Sequence, residues 1–125
     1  MSKQLIFLHK TSLAELQAIY QMAELMVYPS FYEGFGLPVL EAQASECPVI
    51  TSNISSLPEA GGDGAIYIDP GSSQEIGRAI RAVLTNNVLK NELIQKGTAN
   101  ALLFNDQSVA KKLMQMYQSL YNSSR

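Results

Sequence analysis

Two carboxylates, Glu33 and Glu41, flank a Gly-Phe-Gly turn in the stretch from Pro29 to Glu41, PSFYEGFGLPVLE. Gly34 and Gly36 let the backbone come close to a ligand with no side chain in the way. The residues after them read as a helix from about Leu37, with Pro38 in its first turn, where a missing N–H costs nothing. A helix start of this kind offers free N–H groups and a positive dipole end, and so forms an anion site. A pyrophosphate fits such a site. Glu33, at the mouth of the loop, can accept hydrogen bonds from sugar hydroxyls. Glu41 falls about one turn into the helix, where it can reach the cis-diol of a ribose. On spacing alone a second reading stands beside this one, in which Gly-x-Gly only makes a turn and both glutamates are solvated.

The elements that position this loop can be read from apolar runs and caps. Leu5 to Leu8, LIFL, reads as a buried strand. Ser12 and Glu15 have capping-box spacing, and Leu13, Leu16, Tyr20 and Ala23 then repeat at helical spacing. Leu25 to Tyr28 reads as a second strand, Pro48 to Thr51 as a third and Ala65 to Ile68 as a fourth. Leu57 to Ala60 reads as one helical turn, and Gly61-Gly62-Asp63-Gly64 as a loop. After Asp69-Pro70-Gly71, Ser72 and Glu75 repeat the capping spacing, and Ile76, Ala79, Ile80, Val83 and Leu84 form an apolar face. Two further helices are expected over Val88 to Leu103 and Gln107 to Tyr121. The last carries Val109, Leu113, Met116, Tyr117 and Leu120 on one side. Strands that are apolar throughout and alternate with helices predict a Rossmann-like α/β fold, a parallel sheet of about four strands flanked by helices. Ligands bind such sheets beyond the carboxyl ends of the strands, which is where the loop from Pro29 to Gly36 falls.

The chain has 125 residues, 46% of them hydrophobic and 16% charged, with a formal net charge of −2. That balance suits one folded domain and argues against disorder. The nine Lys and Arg are scattered, so no basic stripe suits nucleic acid. A single cysteine forms no internal disulfide, which fits a reducing compartment. The apolar run near the N-terminus is too short for a signal peptide, and no stretch approaches the roughly 20 residues needed to span a bilayer. The expectation is a cytoplasmic protein. Peripheral membrane contact of a longer parent stays open. A receiver-like signalling domain needs an acidic cluster after its first strand, and none is placed that way.

The run PSFYEGFGLPVLEAQASECPVITSN, followed by LPEAGGDGAIYIDP, resembles the family 4 retaining glycosyltransferases of the GT-B fold. Their signature is Glu-x7-Glu inside P-S-x-x-E-G-F-G-L-P-x-L-E-A, and Glu33 and Glu41 hold its two positions. The similarity extends from FLHKTSLAELQAIYQMAELMVYPS to the closing helices. It implies that residues 1–125 are part of the C-terminal, nucleotide-sugar-binding domain, in an enzyme that moves a hexose to a glycan, lipid or polysaccharide acceptor. Glu33 would contact hydroxyls of the transferred sugar near the reacting face, as the catalytic residue. The backbone N–H groups of Gly34, Phe35, Gly36 and Leu37 would contact the sugar and diphosphate, and Glu41 the ribose hydroxyls. Lys10, Thr11 and Leu13 would lie near the base, and Thr51 near the donor pocket. No metal or other cofactor is implied, because Lys and Arg side chains and the helix dipole neutralise the leaving phosphate. The donor is a substrate.

The chain also departs from the family. A whole member is about three times this length. Its N-terminal acceptor domain and the first two strands of its donor domain have no counterpart here. Those strands lead to the basic residues that clamp the pyrophosphate, a motif that neither Lys3 nor Lys10 matches. The isolated chain is therefore expected to be inactive and to bind donor weakly, or to act as a non-catalytic binding or assembly module. A sheet edge without its neighbours invites pairing. Either Leu5–Leu8 fills the vacant slot or a second copy covers it, and the final helix offers another surface for a homodimer. Glu46 stands where relatives carry Gly. If left-handed, it costs on the order of 1 kcal/mol. Asn105 and Asp106 replace a pattern containing tryptophan.

Other residues read more simply. His9 is structural or exposed, Cys47 a small core residue, and Glu59 a brace for its loop. Tyr28 and Phe31 suit a pocket wall, and Tyr32 can face the donor. Met114 and Met116 suit core or a docking surface.

Overall fold

The computed structural model describes residues 4–31 and 35–104. The predicted last helix, with Met114 and Met116, lies outside them, as do Tyr32, Glu33, Gly34, Asn105 and Asp106.

Local chemistry sets the helix starts. In α1 (Leu13–Met22), the Ser12 hydroxyl accepts from the Glu15 N–H at 3.1 Å, and the Ser12 N–H donates to the Glu15 carboxylate at 3.2 Å. This is the capping box expected from the spacing. The Ser12 hydrogen bonds hold the Glu15 carboxyl below its ordinary range. The second expected cap opens α4 (Ser73–Thr85), where Ser72 accepts from the Glu75 N–H at 3.2 Å. Asn86 caps α5 (Asn87–Leu103) through the Leu89 N–H at 3.1 Å.

The sheet is parallel, in the order β1 (Met26–Tyr28), β2 (Val49–Ser52), β3 (Ala65–Ile68). Met26 pairs with Val49, and Val49 with Ala65. All four residues of β2 are buried, as a central strand covered on both faces requires. On one face, Val49 packs with Val39, Ala42, Cys47 and Leu57, joined by Tyr20 of α1 and by its C-cap Ala23. On the other, Ile50 and Ile68 pack with Ala79, Val83 and Leu93 of α4 and α5. The α/β class and parallel sheet thus match the sequence reading.

The strand count does not. Among the described residues three strands form where about four were expected, and Leu5–Leu8 stays outside the sheet. Its side chains are 60–83% exposed. Ordering a strand costs about 1–2 kcal/mol per residue in backbone entropy. A three-residue edge strand, β1, offers too short a ladder to offset that. A run apolar at every position also needs cover on both faces.

Between β1 and β2 lies α2 (Leu37–Ala44). It ends in a Schellman motif. Cys47 N–H donates to Ala42 O at 2.9 Å and Glu46 N–H to Gln43 O at 3.1 Å. Glu46 takes the left-handed position of that motif, with φ 61°, which glycine occupies without strain. The short α3 (Leu57–Gly61) and a 3₁₀ turn (Gly62–Gly64) then lead into β3.

Candidate functional site

β1 ends at Tyr28, and Gly36 caps the helix that follows, α2. Gly36 has φ +87°, and a Cβ there would stand 2.9 Å from Leu57 Cδ2 and 3.1 Å from Ala60 Cβ. Both the backbone angle and the space therefore demand glycine. Gly36 supplies no side-chain cap to α2, and Pro38 sits in its first turn. Val39 and Leu40 donate their N–H groups to Gly36 O at 3.0 and 3.4 Å. The Gly36 cap thus brings no side-chain acceptor to the N-terminus of α2, an arrangement that attracts an anion.

One turn further on, Glu41 is half-buried. Burial raises its carboxyl above the ordinary range. It faces a cleft of about 270 Å³ between α2 and α1, lined on the α1 side by Leu13, Leu16, Gln17 and Tyr20. Burial raises the Tyr20 hydroxyl, and the Glu41 charge adds to the shift. Such a cleft offers an apolar wall, amide donors and a carboxylate acceptor together.

The fold thus brings Leu13 and Glu41 to one cleft. Lys10 and Thr11 are exposed just ahead of α1 and are not among the residues lining that cleft. Leu37 is half-buried in the first turn of α2. Phe35 is half-buried, its ring edge-on to Phe104 with centroids 5.5 Å apart and planes at 70°. Thr51 is fully buried and its hydroxyl donates to Tyr28 O at 2.8 Å. It stands at the carboxyl end of β2, closed off from solvent and committed to the neighbouring strand. Glu33 and Gly34 lie outside the described residues.

Of the other tempting residues, His9 and Glu59 are exposed, and so is Phe31 at 66%. Cys47 is buried among apolar neighbours, with its thiol raised to about 11, which keeps it protonated and inert at neutral pH.

Sequence reasoning missed a buried polar network behind the loop. Gln43, 1% exposed, donates to Gly61 O at 2.9 Å. Asn100 of α5 donates to Gln43 Oε1 at 2.8 Å and to Ala60 O at 2.7 Å. Tyr67 of β3 donates to Gly62 O at 2.6 Å, with Pro58 O at 3.2 Å. Beside it, a Cβ on Gly64 would overlap the Gly97 backbone. One signal was available. Gly97 interrupts an otherwise good helix, a choice costing about 1 kcal/mol that usually has a packing reason.

Comparison with known proteins agrees with this architecture. The pattern of the family described as Glycosyl transferases group 1 matches residues 1–100. The O-antigen chain mannosyltransferase B of Escherichia coli is 37% identical over 106 residues, covering 85% of this chain and 28% of that protein. The O-antigen chain mannosyltransferase RfbU of Salmonella typhimurium is 43% identical over 77 residues, 62% of this chain and 22% of that one. Among solved structures, the sucrose-phosphate synthase of Thermosynechococcus elongatus superposes with a TM-score of 0.65 at 30% identity. That match covers 87% of this chain and 28% of that one. The chain therefore spans under a third of the length of these relatives, and it belongs to the glycosyl transferases group 1 family.

Proposed function

We propose that this chain forms the donor side of a retaining, family 4 glycosyltransferase, binding a nucleoside diphosphate sugar at the start of α2. The observation that carries the reading is the placement of Glu41. Its carboxylate is partly desolvated, on a helix capped by a glycine, in a cleft shared with Leu13. A desolvated carboxylate is a strong acceptor for a cis-diol. In this reading Glu41 holds the ribose hydroxyls, and Lys10, Thr11 and Leu13 lie toward the base. The amides of Gly34, Phe35, Gly36 and Leu37 face the sugar and diphosphate. Glu33 contacts the transferred hexose as the bond from its anomeric carbon to the diphosphate oxygen breaks. The α2 dipole stabilises the charge on the leaving diphosphate. Thr51 supports the site from within the sheet. The names of the relatives support a hexose donor and an acceptor in polysaccharide assembly.

These 125 residues alone are expected to bind without transferring. Neither Lys3 nor Lys10 matches the family's cationic clamp, and the chain spans only 14–28% of the relatives' length. That favours, for the isolated chain, the reading of a nucleotide-sugar-binding module. Calorimetry with UDP- and GDP-sugars tests the pocket. In a full-length protein bearing this chain, Glu41→Ala should weaken donor binding roughly tenfold to a hundredfold, the worth of lost charge-assisted hydrogen bonds. Unchanged affinity and turnover would sink the assignment.

A further inference from the structure

We propose that one face of α5 holds the start of α2 in place, with Asn100 as its positioning residue. This rests on the donor reading above. Gly97, Asn100 and Phe104 follow one another at i, i+3 and i+7, so they share one side of the helix. Each meets a different part of the surroundings of α2.

At Gly97, a Cβ would stand 3.1 Å from Gln43 Cγ, so the α5 backbone lies close against α2. At Asn100, both amide protons are used, one on Gln43 Oε1 and one on Ala60 O. The amide orientation follows from the chemistry of its partners. Gln43 Nε2 donates to Gly61 O, which turns Gln43 Oε1 toward Asn100, and Ala60 O is an acceptor only. At Phe104, the ring meets Phe35, the residue before the Gly36 cap.

These contacts converge on one place. Gln43 is two residues past Glu41 on α2. Ala60, whose carbonyl Asn100 holds, presents its Cβ to the space that Gly36 leaves open. Asn100 thus fixes α3 against Gly36 and, through Gln43, fixes α2 against α3. Every buried polar side-chain atom among the described residues has a partner. Removing the Asn100 donors leaves Gln43 Oε1 and Ala60 O without this partner at once.

The test uses the whole 125-residue chain and amide hydrogen exchange read by NMR. The reporters are the Val39 and Leu40 amides, which bind Gly36 O, and the control is Ile50 in β2. Asn100→Asp is nearly isosteric yet, ionised, donates nothing. At pH 7 it should speed exchange at Val39 and Leu40 by about tenfold or more relative to Ile50, the worth of one or two hydrogen bonds. Near pH 3.5 a protonated Asp regains one donor, so part of the protection should return relative to wild type at that pH. Because the two side chains match in shape, a role in packing alone predicts neither change. If Asn100→Asp fails to fold, Phe104→Leu supplies the second measurement. It should loosen Val39 and Leu40 and leave Ile50 unchanged. Equal exchange in variant and wild type, or equal acceleration at Ile50, overturns the proposal. UDP and GDP added to the same wild-type sample report separately on the donor reading. Absence of binding there counts against that reading and leaves the exchange result standing.

Discussion

The two sides of α2 are held by very different means. Toward α5 there is close packing of Gln43 on Gly97, which itself lies against the Gly64 backbone, and a hydrogen-bond network through the buried Gln43 and the half-buried Asn100. Toward α1 there is a helix with no buried residue, whose Leu13 and Met22 are 64% and 77% exposed. Glu41 lies on the loosely held side, and the Gly36 cap rests on the tightly held one. Amides that stabilise a developing charge must be aimed before the ligand arrives. A wall that accommodates a base tolerates adjustment. The division of rigidity therefore follows the division of tasks proposed for α2.

The sharpest way to break the tight side is Gly64→Ala. Its new Cβ would overlap the Gly97 backbone, which cannot yield as a side-chain tip would. We expect a loss of about 3 kcal/mol or more, read as a fall in the denaturation midpoint. The matched control is Gly77→Ala in the middle of α4, where nothing lies within 4 Å of the added Cβ. That change should stabilise by about 0.5–1 kcal/mol through helix propensity. Equal effects at the two sites would mean that the tight packing is not there.

The loose side is probed by Ser12→Ala. Loss of the cap should cost α1 about 1 kcal/mol. Since α1 buries no residue fully, the loss should appear as faster amide exchange in α1 with little change in β2. An equal rise in both would show α1 to be part of the cooperative core. A change of similar size and opposite sign is expected from Glu46→Gly. It relieves a left-handed residue at the end of α2 and should stabilise by on the order of 1 kcal/mol, checked by thermal melting.

What the sequence revealed divides along the same line. Caps are local, so the capping box at Ser12 and Glu15 and the start of α4 at Ser72 could be read from neighbouring residues. The apolar run Ala65–Ile68 marked β3 to the residue, because turns bound it on both sides. The left-handed Glu46 could be foreseen only through the family resemblance, which places a glycine at that position. The fate of Leu5–Leu8 was not, because a strand exists only with a partner, and its own four residues look the same with or without one. Nor was the Gln43–Asn100 bond, which joins residues 57 apart in sequence. At the candidate site, the sequence showed where α2 starts, at Leu37 just after Gly36. It did not show that Thr51 turns its hydroxyl to Tyr28 O, since a strand-end threonine can face either way.

The smallest expected effect is also the one that joins stability to the proposed chemistry. Burial raises the Glu41 carboxyl above its ordinary range, so the folded chain favours the protonated form more than the unfolded chain does. That preference stabilises fully below the unfolded carboxylate range and is lost as pH rises through the raised folded value. At neutral pH the ionised Glu41 therefore weakens the fold slightly, and Glu41→Gln should be the more stable protein. The advantage should fade toward pH 3, where wild type is neutral as well. It should be small, because the side chain is only partly removed from water. The same substitution should weaken nucleotide binding at pH 7, since a neutral amide is a poorer acceptor for a diol. Denaturation midpoints at pH 7 and pH 3, set beside calorimetry at pH 7, read both consequences. A variant that gains no stability at pH 7 would mean that Glu41 is fully hydrated. The cleft against α1 would then be open to water, and the contrast between the two sides of α2 would be one of packing alone.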